Sequence, residues 1–83
     1  MNMKKPKPGD IYAVTAGDFM GEFFVFMEGT SEYIFLSLPD FHIRSVPKNK
    51  YELGVHSNII EHQEKLPDDI YKECLDKYNQ IKS

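Results

Sequence analysis

Two neighbouring segments of the chain, 22–28 and 32–38, have no polar face. The first carries Phe23-Phe24-Val25-Phe26-Met27 and the second Tyr33-Ile34-Phe35-Leu36. Aromatic and β-branched residues in this density suit a pleated, half-buried surface. The link Gly29-Thr30-Ser31 contains a glycine able to supply the positive φ of a tight hairpin turn. Side chains alternate along a strand. In the first segment Phe23, Val25 and Met27 share one face and Phe24 and Phe26 the other. In the second, Ile34, Leu36 and Leu38 share one face and Tyr33 and Phe35 the other. A lone hairpin is marginal in water. Both of its faces must therefore be covered, by strands on one side and a helix on the other, or else an aromatic face is left open as a docking surface.

The helix is found near the end of the chain. Leu66-Pro67-Asp68-Asp69 reads as a helix start, because proline suits the first turn and acids suit the positive end of the helix dipole. Ile70, Cys74, Leu75, Tyr78 and Ile81 then form one apolar stripe. This spacing predicts a helix over 67–81 laid on one face of the hairpin. Cys74 falls on the stripe, which favours a buried structural thiol over a nucleophile.

The remaining elements follow in order. Residues 1–8, with Lys4, Lys5 and Lys7, read as a flexible basic arm, and 9–83 as a single domain. Pro8-Gly9-Asp10 signals a turn and 10–14 a first strand. The loop 15–21 holds Phe19 between glycines, either as a plug over the sheet end or as an exposed contact. Residues 41–46 read as a fourth strand, with His42, Arg44 and Val46 as a possible solvent side, and 47–50 as a turn. Residues 51–58 fit a short helical turn or a loop, and 58–63 a last strand. With a single cysteine in 83 residues no internal disulfide can form. No apolar run approaches the roughly 20 residues of a membrane helix, and no apolar stretch follows the N-terminal lysines as in a signal peptide. The expected location is the cytoplasm.

Five short strands and one helix predict a mostly β fold, a five-stranded SH3-like barrel with a C-terminal amphipathic helix. The segment running from Gly9-Asp10-Ile11-Tyr12 through Val14, Gly17 and Phe19 to Gly21 resembles the opening of KOW modules of transcription elongation factors and ribosomal proteins. A further glycine of that pattern is replaced by Phe24. The resemblance covers 9–28 and implies a module that binds RNA or protein. Pro8-Gly9-Asp10-Ile11-Tyr12 is also similar to the start of PemK/MazF toxin ribonucleases, whose entry to the second strand is not matched at Gly21-Glu22. That weaker likeness would put the weight of RNA cleavage on Arg44, the chain's one arginine.

The residues carry little chemistry. His42, His56 and His62 lack the helical spacing of a metal pair, and no nucleophile elbow or phosphate loop occurs. No catalytic group, metal, cofactor or small-molecule substrate is expected. Adjacent Asp68 and Asp69 serve the helix dipole. A formal net charge of −3 argues against general nucleic-acid binding. Positive charge is nonetheless local, in the arm and around Arg44, Lys48 and Lys50, while seven acids stand against four lysines from Tyr51 onward. The first expectation is a non-catalytic binding module for a protein partner, with RNA as the alternative ligand. Its candidate contact residues are Phe19, Phe41, Arg44, Lys48, Lys50 and Tyr51, the cations for phosphates and Phe41 or Tyr51 for stacking. A small phage or mobile-element protein that masks a host protein surface is the second expectation, and a toxin-like ribonuclease the remote one. Unpaired sheet edges also permit a homodimer.

Overall fold

The computed structural model describes residues 5–82. Its elements are β1 (Ile11–Val14), β2 (Phe23–Gly29), β3 (Glu32–Leu38), β4 (His42–Pro47), α1 (Lys48–His56), β5 (Ile60–His62) and α2 (Asp68–Lys82). The strands form one antiparallel sheet in the order β4-β3-β2-β1-β5. The class is therefore β+α, with two helices where one was expected. β4 and β5 are the two edges of the sheet, and no ladder among the described residues joins them. The sheet is open.

The hairpin does what its two apolar faces require. Phe24, Phe26, Tyr33 and Phe35 join Tyr12, Val14 and Tyr51 in an aromatic core. Its rings meet mostly edge to face, as with Tyr33 and Tyr51 at 5.0 Å and Phe26 and Phe35 at 5.5 Å between centroids. On the other face Val25, Met27 and Leu36 pack against Cys74 and Tyr78 of α2. Both faces are covered over most of their length, one by α1 and the curled sheet and the other by α2; Phe23, expected on the face of Val25 and Met27, is 43% exposed. The register slips between Phe26 and Glu28, which admits a bulge opposite the Ile34–Phe35 step.

Three expectations need correction. The 47–50 turn is the boundary and first turn of α1. Pro47, with φ −56° and no N–H to lose, precedes the helix, and only Tyr51 of the helix is buried. The helix ends where Asn58 adopts φ 59°. The Asn58 N–H donates to the Val55 carbonyl at 3.1 Å and the Ile59 N–H to the Gly54 carbonyl at 2.8 Å, a Schellman closure that starts β5 two residues later than the sequence suggested. Second, of the expected solvent side only His42 is exposed. Tyr33 pairs with Val46 and Phe35 with Arg44, so Arg44 and Val46 are half-buried on the aromatic-core face, while Ile43, paired with Leu36, joins the helix-facing core. Third, α2 presents Tyr71 rather than Ile70 to the sheet: Tyr71 packs on the helix-facing core, while Ile70 and Ile81, both expected on the stripe, are exposed.

Of the basic arm, residues 1–4 lie outside the described residues. Pro6 is buried, and the Lys7 N–H donates to Asp10 Oδ2 while the Asp10 N–H donates to the Lys7 carbonyl, each at 2.9 Å. Gly9 closes this turn at φ +94°. None of the helices described is long and apolar enough to cross a membrane.

Candidate functional site

Where the sheet stays open, a groove of about 820 Å3 runs between the β1–β2 loop, β4, α1 and the start of β5. Each wall has a local cause. Val14 and Glu22 close the β1–β2 loop, the Val14 N–H donating to the Glu22 carbonyl at 3.0 Å and the Gly21 N–H to the Val14 carbonyl at 2.9 Å, with Gly17 and Gly21 at positive φ. That loop lifts Phe19 over the sheet end, 6.0 Å from the Phe24 ring. From α1 come Lys50, Leu53 and Gly54, and from its C-cap Ser57, one helical face by their spacing. Phe24 and Phe35 lie beneath.

The groove concentrates exposed apolar surface. Leu53 is 64% and Phe19 40% exposed, and Ile59 and the neighbouring Met20 are exposed as well. Its charges are few: Asp18, Arg44 and Lys50. The Arg44 guanidinium lies 4.3 Å above the Phe19 ring and 3.7 Å from Glu22 Oε1, too far for a hydrogen bond. Arg44 Nε and Glu22 Oε1 are both buried without a hydrogen-bond partner.

Of the six residues expected to make contacts, the structure brings Phe19, Arg44 and Lys50 together here. Phe19 is both plug and contact, since one side of its ring covers Phe24 and much of the rest is open. The other three are dispersed. Lys48 Nζ sits 5.5 Å above the Tyr33 ring. Phe41, at φ 59°, is thrown onto the helix-facing core beneath Lys77. Tyr51 is 4% exposed and cannot stack on a base; its hydroxyl meets that of Tyr12 at 2.9 Å. Leu53 and Ile59 were missed in the sequence. The signal for Leu53 was the helical spacing of 50, 53, 54 and 57, hidden because Gly54 weakens that segment as a helix; Ile59 lies past the closing turn at Asn58, outside that spacing.

A second hollow of about 380 Å3 lies across α1, lined by Lys5, Lys7, Asp10, Tyr12, Tyr51, Val55 and His62. His62 Nε2 stands 3.8 Å from Asp10 Oδ2. Burial pushes the Tyr12 and Tyr51 phenols above their ordinary range, so both stay protonated. The Cys74 thiol is buried and pushed up, first by desolvation and then by Glu73. Among the described residues no group of three or more His, Cys, Asp or Glu is placed to hold a metal.

No family model, characterised protein or solved structure matches this chain.

Proposed function

We propose that the chain is a non-catalytic binding module that takes an extended segment of a protein partner in the groove between β4 and α1. The observation that carries this reading is the placement of Leu53, Phe19 and Ile59 in the open at one seam, over the buried rings of Phe24 and Phe35. An apolar groove with a few convergent polar groups and a volume in the range of roughly 300–1,000 Å3 is the usual form of a binding site. The return of β5 to the free side of β1 is in keeping with the SH3-like reading.

Protein is favoured over RNA by the arrangement of charge. Arg44 is held by Phe19 and Glu22, Lys48 faces Tyr33 outside the groove, and the tyrosine proposed for stacking is buried. What remains is mostly apolar, unlike the basic track that a phosphate backbone requires. The test is amide NMR of the full chain with heptapeptides selected against it from a displayed library, and in parallel with a single-stranded oligouridine. The expected outcome is that peptides shift Phe19, Leu53 and Ile60, that Leu53→Lys abolishes their binding, and that the oligouridine moves neither Arg44 nor Lys50. Salt-sensitive shifts from RNA with no peptide effect would overturn the reading in favour of RNA.

A further inference from the structure

We infer that the partner segment is bound as an added β-strand along the open edge of β4, an inference that rests on the groove reading above. Five consecutive residues, Ile43 to Pro47, line the groove. Alternate side chains of a strand point to opposite faces. A run of five can therefore border one groove only if the edge of the strand, with its backbone, faces it.

The register identifies which backbone groups are open. Pro47 has no N–H, so the Glu32–Pro47 pair cannot exchange two hydrogen bonds. In an antiparallel ladder bonded and non-bonded pairs alternate. The bonded pairs are then Tyr33–Val46, Phe35–Arg44 and Ser37–His42. In keeping with this, the His42 N–H points toward β3 and donates to Ser37 Oγ at 3.2 Å. The N–H and carbonyl of Ile43 and of Ser45 consequently face away from β3, into the groove. An unpaired edge beside exposed apolar side chains is the arrangement that strand addition uses, main-chain bonds giving affinity and alternate side chains specificity.

Charge selects the occupant. Arg44 is already paired with Glu22 and Phe19, and the remaining groove charges are Lys50 and Asp18, so the complementary occupant is an extended, largely apolar peptide segment with at most one carboxylate, placed beside Lys50. A second copy of this chain is not. A two-fold pairing of Ile43 with Ser45 would set Arg44 directly opposite its own copy, like charge on like, and the alternative register about Ser45 brings Ile43 to Pro47, which has no N–H to return.

The experiment uses the full chain and a heptapeptide selected from a displayed library, with backbone N-methyl groups placed singly along it. Strand addition predicts a period of two: N-methylation at alternate positions weakens binding by about tenfold or more, the cost of a lost hydrogen bond or a blocked approach, and at the intervening positions has little effect. The Ile43 and Ser45 amides exchange more slowly in the complex. Ser45→Pro, which removes an outward N–H and leaves the β3 ladder unaltered, weakens binding likewise. N-methyl peptides that all bind equally, with binding still abolished by Leu53→Lys, would overturn strand addition and leave the groove reading standing. Selected peptides indifferent to Leu53→Lys would overturn both.

Discussion

The hydroxyls of Tyr12 on β1 and Tyr51 on α1 meet at 2.9 Å inside the aromatic core, 39 residues apart in sequence. This contact fixes the rotation of α1, whose other side chains give it little reason to choose a face. With Tyr51 inward, Leu53 and Lys50 are turned to the groove. Tyr51→Phe strands the buried Tyr12 hydroxyl without a partner and is expected to cost about 1–3 kcal/mol. The double variant Tyr12→Phe with Tyr51→Phe should lose less than the two single losses summed, because no orphan remains. Urea unfolding of the four proteins checks the cycle, and additive losses would show that the pair makes no bond.

Alkaline stability should reflect the buried phenols. Tyr78 is pushed up to about 12 by burial and by donating its hydrogen bond to Glu28. A phenol whose folded pKa is raised binds its proton more tightly in the native state. Its contribution is therefore complete below the ordinary tyrosine value near 10 and is lost as pH rises above it. Glu28 runs the other way. The Tyr78 hydroxyl, followed by Lys82, holds its carboxyl below the usual range, so that contribution is present above the ordinary carboxylate value and lost as pH falls through the lowered one. Urea midpoints should be flat from the ordinary carboxylate value up to the ordinary thiol value of about 8.5, above which the raised Cys74 thiol begins the alkaline fall that the phenols continue. Tyr78→Phe should flatten the alkaline fall and the acid fall together, and a change at one end alone would break the link between the two groups.

Cys74 should be chemically silent while the chain is folded. Burial and the Glu73 charge both raise its thiol pKa, so little thiolate exists at pH 8, and the sulfur is enclosed by the helix-facing core. A disulfide reagent at that pH is expected to label the native protein at least about a hundredfold more slowly than the unfolded one, in line with opening of the core. Equal rates would place the thiol at the surface.

Neighbouring positions on α2 separate the observed helix face from the one its sequence suggests. Ile70→Ala should change stability by no more than about 0.5 kcal/mol, as an exposed substitution does. Tyr71→Ala should cost about 2–4 kcal/mol, since its ring packs on the helix-facing core and beside Gly9. Reversal of the order would rotate the helix by about one residue.

How much of this was legible in the residues depends on how local each cause is. The hairpin, its alternating faces and the start of α2 arise from neighbours in sequence, and Phe23-Phe24-Val25-Phe26-Met27 admits few other readings. Cys74 and Tyr78 followed from the stripe for the same reason. Ile70 did not, because its burial depends on how α2 crosses the sheet, a tertiary matter that periodicity leaves open by a residue. α1 was obscured by Pro47, Gly54 and the absence of an acid in its first turn; it is held by the Tyr12–Tyr51 contact and by the Schellman closure at Asn58. Half of the candidate site shared this fate. Phe19, Arg44 and Lys50 could be chosen by residue type, but that Tyr51 turns inward and Leu53 outward follows from the rotation of a helix the residues only faintly announce.

The clamp on Phe19 gives the last prediction. Arg44 covers one side of the ring at 4.3 Å, and Glu22, which lies 3.7 Å from the same guanidinium, donates its own N–H to the Phe19 carbonyl at 3.0 Å. One arginine on β4 thus holds the β1–β2 loop at both ends of its tip. A cation–π contact and a partly exposed ion pair are each worth about 1 kcal/mol or less. Arg44→Ala should therefore lower global stability only slightly while loosening the loop. Hydrogen exchange distinguishes the two: the Met20 and Glu22 amides, bonded to Gly17 and Phe19, should exchange several-fold faster, and the Val25 and Leu36 amides in the middle of the hairpin should not change beyond the global loss. Uniform acceleration at all four would mean that Arg44 supports the sheet as a whole, and the groove wall would then have no hinge of its own.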